Sequence, residues 1–184
     1  MYHFFVEPHQ IGAEEIRIEG ADVNHIRNVL RMKPGEEILI SSREGGDYFC
    51  RVEELEPEYV SAKILEEWEN KELPARIHLF QGLPKGDKME LIIQKAVELG
   101  AYRVVPVSMK RSVVKLDAKK ADAKRKRWNA VSESAAKQSK RSLIPEVAPL
   151  MTYKEAVKEA AGYDMVLLPY ESADGIRKTR ELDR

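Results

Sequence analysis

Hydrophobic and polar positions alternate over the first third of the chain and then change period. Tyr2–Val6, Ile16–Glu19, Glu37–Ser41, Tyr48–Val52 and Tyr59–Leu65 read as short strands, most with the two-residue alternation of a half-buried sheet. Asp22 is placed to cap a short helix to Leu30, with Val23, Ile26, Val29 and Leu30 on one side. Lys33-Pro34-Gly35 turns the chain, and Glu44-Gly45-Gly46-Asp47 supplies a hairpin turn. Several short strands and one helix in about seventy residues predict a small β-barrel.

Asn70-Lys71-Glu72-Leu73-Pro74 is polar, ends in proline and marks the change. Ile77–Leu83 then reads as a strand, and Pro84-Lys85-Gly86-Asp87 as a turn opening a helix over Lys88–Leu99. Met89, Ile92, Ile93, Ala96 and Leu99 share one face of that helix, and Gly100 stops it. Arg103–Val107 is a short apolar strand. A long helix over Ala118–Ser139 turns Trp128, Val131 and Ala135 inward. Pro145 and Pro149 bracket a loop, Tyr153–Ala161 is helical, and Met165–Pro169 reads as another buried strand. Strands alternating with helices predict an α/β unit with a largely parallel sheet. The division expected is a barrel over residues 1–72 and an α/β domain over 75–184.

Charge changes the picture more than composition does. The chain has 31 Lys plus Arg against 31 Asp plus Glu, but they are segregated. Residues 1–74 hold 8 basic and 17 acidic side chains, whereas residues 75–150 hold 17 and 7. The densest stretch, Lys110 to Arg141, sets 12 basic residues against 3 acidic ones, a patch that attracts phosphate whatever the net charge. The same lysines would also serve as a solvated helix face. A lone cysteine, Cys50, excludes an internal disulfide framework and a multi-thiolate metal site; on its strand it reads as a core side chain. No apolar run reaches membrane-spanning length, and the start carries no basic leader. A cytoplasmic protein with no membrane partner is expected.

Familiar catalytic patterns fail. Gly82-Leu83-Pro84-Lys85-Gly86-Asp87-Lys88-Met89 sits where a phosphate loop would, but three residues separate its glycines and Asp87 follows the second. His3, His9, His25 and His78 lack metal-ligand spacing, and no nucleophile has an evident base. No metal is expected.

What is specific is a set of strings in order. They are His25-Ile26-Arg27-Asn28-Val29-Leu30-Arg31, the Gly82–Met89 string, Gln94-Lys95-Ala96-Val97-Glu98-Leu99-Gly100, Arg111-Ser112-Val113-Val114-Lys115, Arg127-Trp128, and Ala135-Ala136-Lys137-Gln138-Ser139-Lys140-Arg141 with Pro145 beyond. Together they resemble the RsmE family, the 16S ribosomal RNA uridine-N3 methyltransferases of the SPOUT superfamily, from Met1 to about Glu171. The resemblance implies an N-terminal PUA-like small β-barrel for RNA, followed by a SPOUT-type α/β methyltransferase domain with a trefoil knot, one of the rare knotted folds. It also implies a homodimer that uses S-adenosylmethionine and acts on 16S ribosomal RNA in the small ribosomal subunit.

Three positions depart mildly from the family pattern, which has Thr where this chain has Val97 and Glu where it has Ser134 and Lys137. The larger departure is at the end. The family pattern continues into a Gly-Pro-Glu-Gly-Gly loop and a Leu-rich segment that form the knot and most of the cofactor pocket, so the methyltransferase domain is expected to be incomplete at its C-terminus.

Methylation of N3 targets the Watson–Crick edge, so the base must be unpaired and its N3 proton must leave. Arg111, just after a strand end, is the candidate catalytic residue, able to hold a phosphate or the uracil oxygens; it also reads as a surface arginine. Leu168, Pro169, Tyr170 and Glu171, at the end of the last expected strand, are the candidate cofactor wall by resemblance. Lys85, Lys115, Gln138 and Arg141 are candidate RNA contacts in the second domain, with Ser139 beside them. His25, Arg27 and Arg31 are the candidates in the first, His25 being equally suited to packing on the barrel. A non-catalytic RNA-binding module or ribosome-assembly factor is the alternative function. A basic amphipathic membrane helix is disfavoured, because Trp128 is its only large anchor.

Overall fold

The computed structural model describes residues 1–69, 72–110 and 116–169. The first sheet contains β1 (Tyr2–Val6), β2 (Glu15–Glu19), β3 (Glu37–Ser42), β4 (Asp47–Leu55) and β5 (Tyr59–Trp68), in the order β1-β3-β4-β5-β2. β1 lies parallel to β3, and the other pairings are antiparallel. Register shifts between Phe49 and Cys50 and between Val52 and Glu54 bend the β4–β5 ribbon, and such bulges curl a sheet. The result is a half-barrel whose concave face buries Ile16, Ile18, Ile38, Ile40, Val52 and Val60. Cys50 belongs to this core, and burial pushes its thiol up to about 12.

A short helix α1 (Ala21–Asn24) and a π-helical turn (His25–Val29) close the mouth of the half-barrel. The regular helix expected to Leu30 is therefore corrected. The Leu30 amide donates to the His25 carbonyl at 2.9 Å, five residues back, so the turn is widened and Val29 rotates outward, 61% exposed. Gly20, with φ +75°, takes the capping position expected of Asp22.

The second sheet is built from β6 (His78–Gly82), β7 (Arg103–Ser108), β8 (Glu146–Val147) and β9 (Met151–Thr152). All its pairings are parallel, and β7 is central. Parallel sheets need cover on both faces. Helices α2 (Lys88–Glu98) and α3 (Ala118–Ser139) cover one, packing Met89, Ile93, Val97, Trp128, Ala135 and Ala136 against Val104 and Val147. On the other face Val105, Val107 and Ala148 pack with Ala156 of α4 (Tyr153–Ala160). Leu99, expected on the inner face of α2, instead caps the helix and is 79% exposed, because the chain reverses at Gly100 with φ +96°.

The buried strand expected at Met165–Pro169 is also corrected. These residues pair with no strand among the described residues, and Met165, Leu167 and Leu168 face outward. β6 keeps an unpaired outer edge among the described residues, and the chain leaving α4 meets it only through Tyr163, whose hydroxyl lies 3.0 Å from His78 Nδ1 and donates to Glu159; it then runs on without ladder bonds.

β1 joins the two sheets. Its Phe4 and Val6 point into the half-barrel core, while Phe5 lies in the core shared with Trp128, Ala135 and Ala136 of α3.

Candidate functional site

The carboxyl ends of parallel strands are where α/β proteins build sites. β6 and β7 end side by side at Gly82 and Ser108, and the Leu83 amide donates to Val107 O at 2.9 Å. A Cβ on Gly82 would come within 3.1 Å of Met109 Cγ, so a side chain there would have to displace the Met109 side chain. Beyond Gly82 the chain turns through Gly86, which has φ +71°, into α2. Lys85 is exposed at the tip of this turn. A cleft of about 190 Å³ lies against it, lined by Leu83, Met89 and Trp128 and by the charged Asp87, Glu90 and Lys124.

α3 begins beside this cleft. Asp117 caps it, accepting from the Lys120 amide at 2.8 Å. Its first half presents Lys119, Lys120, Lys124, Arg125, Lys126 and Arg127. Lys120 pairs with Asp117, Lys126 with Asp122, and Arg127 with Glu90 of α2 at 2.7 Å. Lys119, Lys124 and Arg125 have no carboxylate in ion-pair reach among the described residues, and Lys124 Nζ stands 6.0 Å from the Trp128 ring centre, at the cleft. The basic stretch read from the sequence is thus a cationic helix half beside the strand ends.

The far end of α3 does different work. Gln138 is exposed, and Ser139 Oγ donates to the Ala135 carbonyl at 2.7 Å, sealing the helix end. Arg141 was read as an RNA contact, and the structure corrects this. It is buried, its guanidinium is ion-paired with Glu72, and it donates to Val97 O at 2.7 Å and Ala101 O at 3.1 Å. Glu72 also accepts from the Ser142 amide at 2.8 Å. A guanidinium with all its edges occupied is a structural tie, not a free phosphate ligand.

On the half-barrel, the widened turn leaves His25 and Arg31 exposed and Arg27 half-buried, and Arg31 adopts φ +54°. His25 therefore faces solvent rather than the core. Leu168 and Pro169 are exposed in an unpaired stretch. Arg111, Lys115, Tyr170 and Glu171 lie outside the described residues. Among the described residues there is no cluster of three metal-ligating side chains and no helix long and apolar enough to cross a membrane.

Sequence reasoning missed two polar centres. One is the Glu72–Arg141 tie, whose acid sits in what reads as a plain linker. The other is His3, Ser41 and Asp47, all buried at the seam between β1 and α3. His3 Nε2 lies 2.8 Å from Ser41 Oγ, which in turn donates to Asp47 Oδ1. Burial first, then the Lys137 charge, pulls His3 down to about 4, so its ring is neutral near pH 7. The available signal was a histidine inside an otherwise apolar strand.

A pocket for a molecule of S-adenosylmethionine's size spans about 300 Å³ or more. The cleft at the strand ends is smaller than that, while a cavity of about 440 Å³ lies at the opposite ends of α2 and α3, lined by Trp68, Glu72, Leu73, Leu99, Ser139 and Arg141.

Comparison with known proteins agrees with this layout. A family model for an RNA methyltransferase domain matches residues 71–183, and a model for the RNA methyltransferase PUA domain matches residues 18–65. The ribosomal RNA small subunit methyltransferase E of Bacillus subtilis is 39% identical over 178 residues, covering 94% of this chain and 69% of that protein. Two solved structures superpose with TM-scores of 0.75: ribosomal RNA small subunit methyltransferase E from Neisseria gonorrhoeae bound to S-adenosyl methionine, and the putative methyltransferase Lpg2936 from Legionella pneumophila in complex with the same cofactor. The first is 34% identical, covering 86% of this chain and 66% of that one; the second is 26% identical, covering 90% and 68%. The chain thus spans about two thirds of the length of each. Half-barrel, parallel sheet and basic helix all fall within these matches, and the chain belongs to the RsmE family of S-adenosylmethionine-dependent ribosomal RNA methyltransferases, with a PUA-like domain joined to a SPOUT-type one.

Proposed function

We propose that this chain serves methyl transfer from S-adenosylmethionine to N3 of a uridine in the decoding region of 16S ribosomal RNA, within the assembled small subunit, as a cytoplasmic homodimer. Residues 1–72 act as the RNA-binding unit and residues 75–184 as the methyltransferase unit. The observation that carries the reading is the cationic half of α3 beside the carboxyl ends of β6 and β7, which sets phosphate-binding charge next to the edge where such sheets hold substrate.

The cofactor supplies an electrophilic methyl group on a sulfonium. The protein's part is to hold an unpaired uridine in line with that methyl group and to let the N3–H proton pass to solvent water as N3 is methylated, with the thioether S-adenosylhomocysteine as the other product. Arg111 is assigned to stabilising the uridine anion through the uracil oxygens, a task for a fixed guanidinium. Lys85 and Lys115 hold flanking phosphates, and Gln138, at the far end of α3, contacts RNA farther along. Leu168, Pro169, Tyr170 and Glu171 contribute to the cofactor side. His25, Arg27 and Arg31 contact RNA from the half-barrel.

The test incubates the chain with unmethylated small-subunit particles and labelled S-adenosylmethionine, then maps the product by reverse transcription. A methyl group on N3 blocks Watson–Crick pairing, so a new stop at one decoding-region uridine is expected. Because the described cleft is small, a second reading is kept: particle binding without label transfer or cofactor binding identifies a non-catalytic RNA-binding module.

A further inference from the structure

The seam between the two sheets carries a row of alternating charges. Asp22 of α1 accepts from Lys137 Nζ of α3 through both carboxylate oxygens, at 3.2 Å each. Lys137 also pairs with Glu133, one turn back on α3, at 3.3 Å. Glu133 in turn pairs with Arg43, in the turn after β3, at 3.3 Å, and Arg43 reaches Glu7, just past β1, at 3.1 Å. The half-barrel therefore grips one end of α3 from two elements, α1 on one side and the β1–β3 end on the other.

These side chains are a quarter to a half exposed, and half-exposed ion pairs add little to stability. The apolar contact of Phe5 with α3 already holds the units together, and charges paired on two sides of the helix add a directional constraint on rotation about it. Asp22 stands three residues before the widened turn that carries His25 and Arg27, with Arg31 just beyond it. Lys137 stands 13 residues from Lys124, about 20 Å along the helix. A small rotation at the seam moves one cationic surface relative to the other.

We propose that the Asp22–Lys137–Glu133–Arg43 ladder is a positioning device that sets the spacing between the half-barrel turn and the cationic half of α3, and that this spacing selects structured RNA able to engage both at once. The inference rests on the RNA-directed function proposed above and adds its geometric filter.

Two charge reversals and their combination test it. D22K raises the net positive charge, so simple attraction to phosphate predicts tighter binding, whereas the ladder predicts weaker binding to small-subunit particles, by about tenfold or more. K137E breaks the ladder with the opposite change in charge and is expected to weaken particle binding as well. D22K/K137E restores the pair and is expected to return to within about threefold of the parent. A single-stranded oligonucleotide too short to reach both surfaces should bind D22K at least as well as the parent.

Spin labels at Lys63→Cys and Leu91→Cys, both exposed positions, read the spacing without RNA. Cys50 is buried and takes no label. Broadened distances in each single reversal that sharpen again in the double variant support the ladder. Tighter particle binding by D22K, or a double variant no better than the singles, overturns it. If the parent chain does not bind particles, the functional reading falls and the selecting role with it, while unchanged label distances in the reversals remove the ladder as a joint even where particle binding holds.

Discussion

The half-barrel and the α/β unit solve the burial problem differently. Five strands of the half-barrel turn alternate side chains toward one concave core, capped by Val23 and Ile26. The α/β unit divides its apolar residues over two faces. One is thick, under α2 and α3; the other, among the described residues, has the eight-residue α4 and the cluster of Val105, Val107, Ala148 and Ala156. Met165, Leu167 and Leu168 remain outside both. A sheet with one face to cover can complete itself locally, whereas a parallel sheet depends on segments far away in the chain.

The strongest way to break this comparison is at the tie between the regions. Glu72→Ala leaves the Arg141 guanidinium buried without its carboxylate, an expected loss of about 3–5 kcal/mol. Urea unfolding followed by Trp fluorescence checks it. One shifted transition means the two regions unfold as a unit, while two transitions mean the half-barrel stands alone.

Acid is the next probe, through His3 at the same seam. Its folded-state value is depressed from 6.5 to about 4 by burial, so the unfolded chain binds more protons between those values. The stabilisation is present in full above about pH 6.5 and is lost as pH falls toward 4, amounting to about 3 kcal/mol on an order-of-magnitude basis. His3→Gln should flatten that dependence. If the slope survives the substitution, another group is responsible.

Smaller effects separate the two faces of the second sheet. Thr152 caps α4, with Glu155 completing the reciprocal bonds. Thr152→Ala is expected to cost about 1 kcal/mol and to speed amide exchange in α4 and the thin face while leaving the half-barrel unchanged. Smallest in stability, within about 0.5 kcal/mol, is Lys124→Ala. Its signature is functional: the dependence of RNA affinity on salt should become shallower by about one counterion.

What was legible in the sequence follows the same contrast. Alternation in Glu37–Ser41 and Tyr59–Leu65 places β3 to within a residue and the start of β5, although β3 is buried on both faces from Ile38 to Ser42 and β5 runs on to Trp68. The run Val104–Val107 identifies a strand covered on both sides. Periodicity failed where long-range context decides. Val29 follows the helical pattern but is turned out by one widened turn. Met165–Pro169 has the composition of a buried strand but pairs with none among the described residues. Of the candidate site, the basic half of α3 was visible as charge density. Arg141 looked the same in sequence, because nothing local distinguishes an arginine bound to a distant glutamate from one open to phosphate.

β1 serves two cores, and the order of synthesis gives that a consequence in time. Its inner residues find β3 about thirty-five positions later, but the face carrying Phe5 waits for Ala135 and Ala136, about 130 residues on. At roughly 5–20 residues per second, that face stays uncovered on the ribosome for roughly 7–26 s. A nascent half-barrel therefore displays an apolar strip until α3 emerges, a strip that chaperones can read and that makes α3 the last piece to lock the first strand in place.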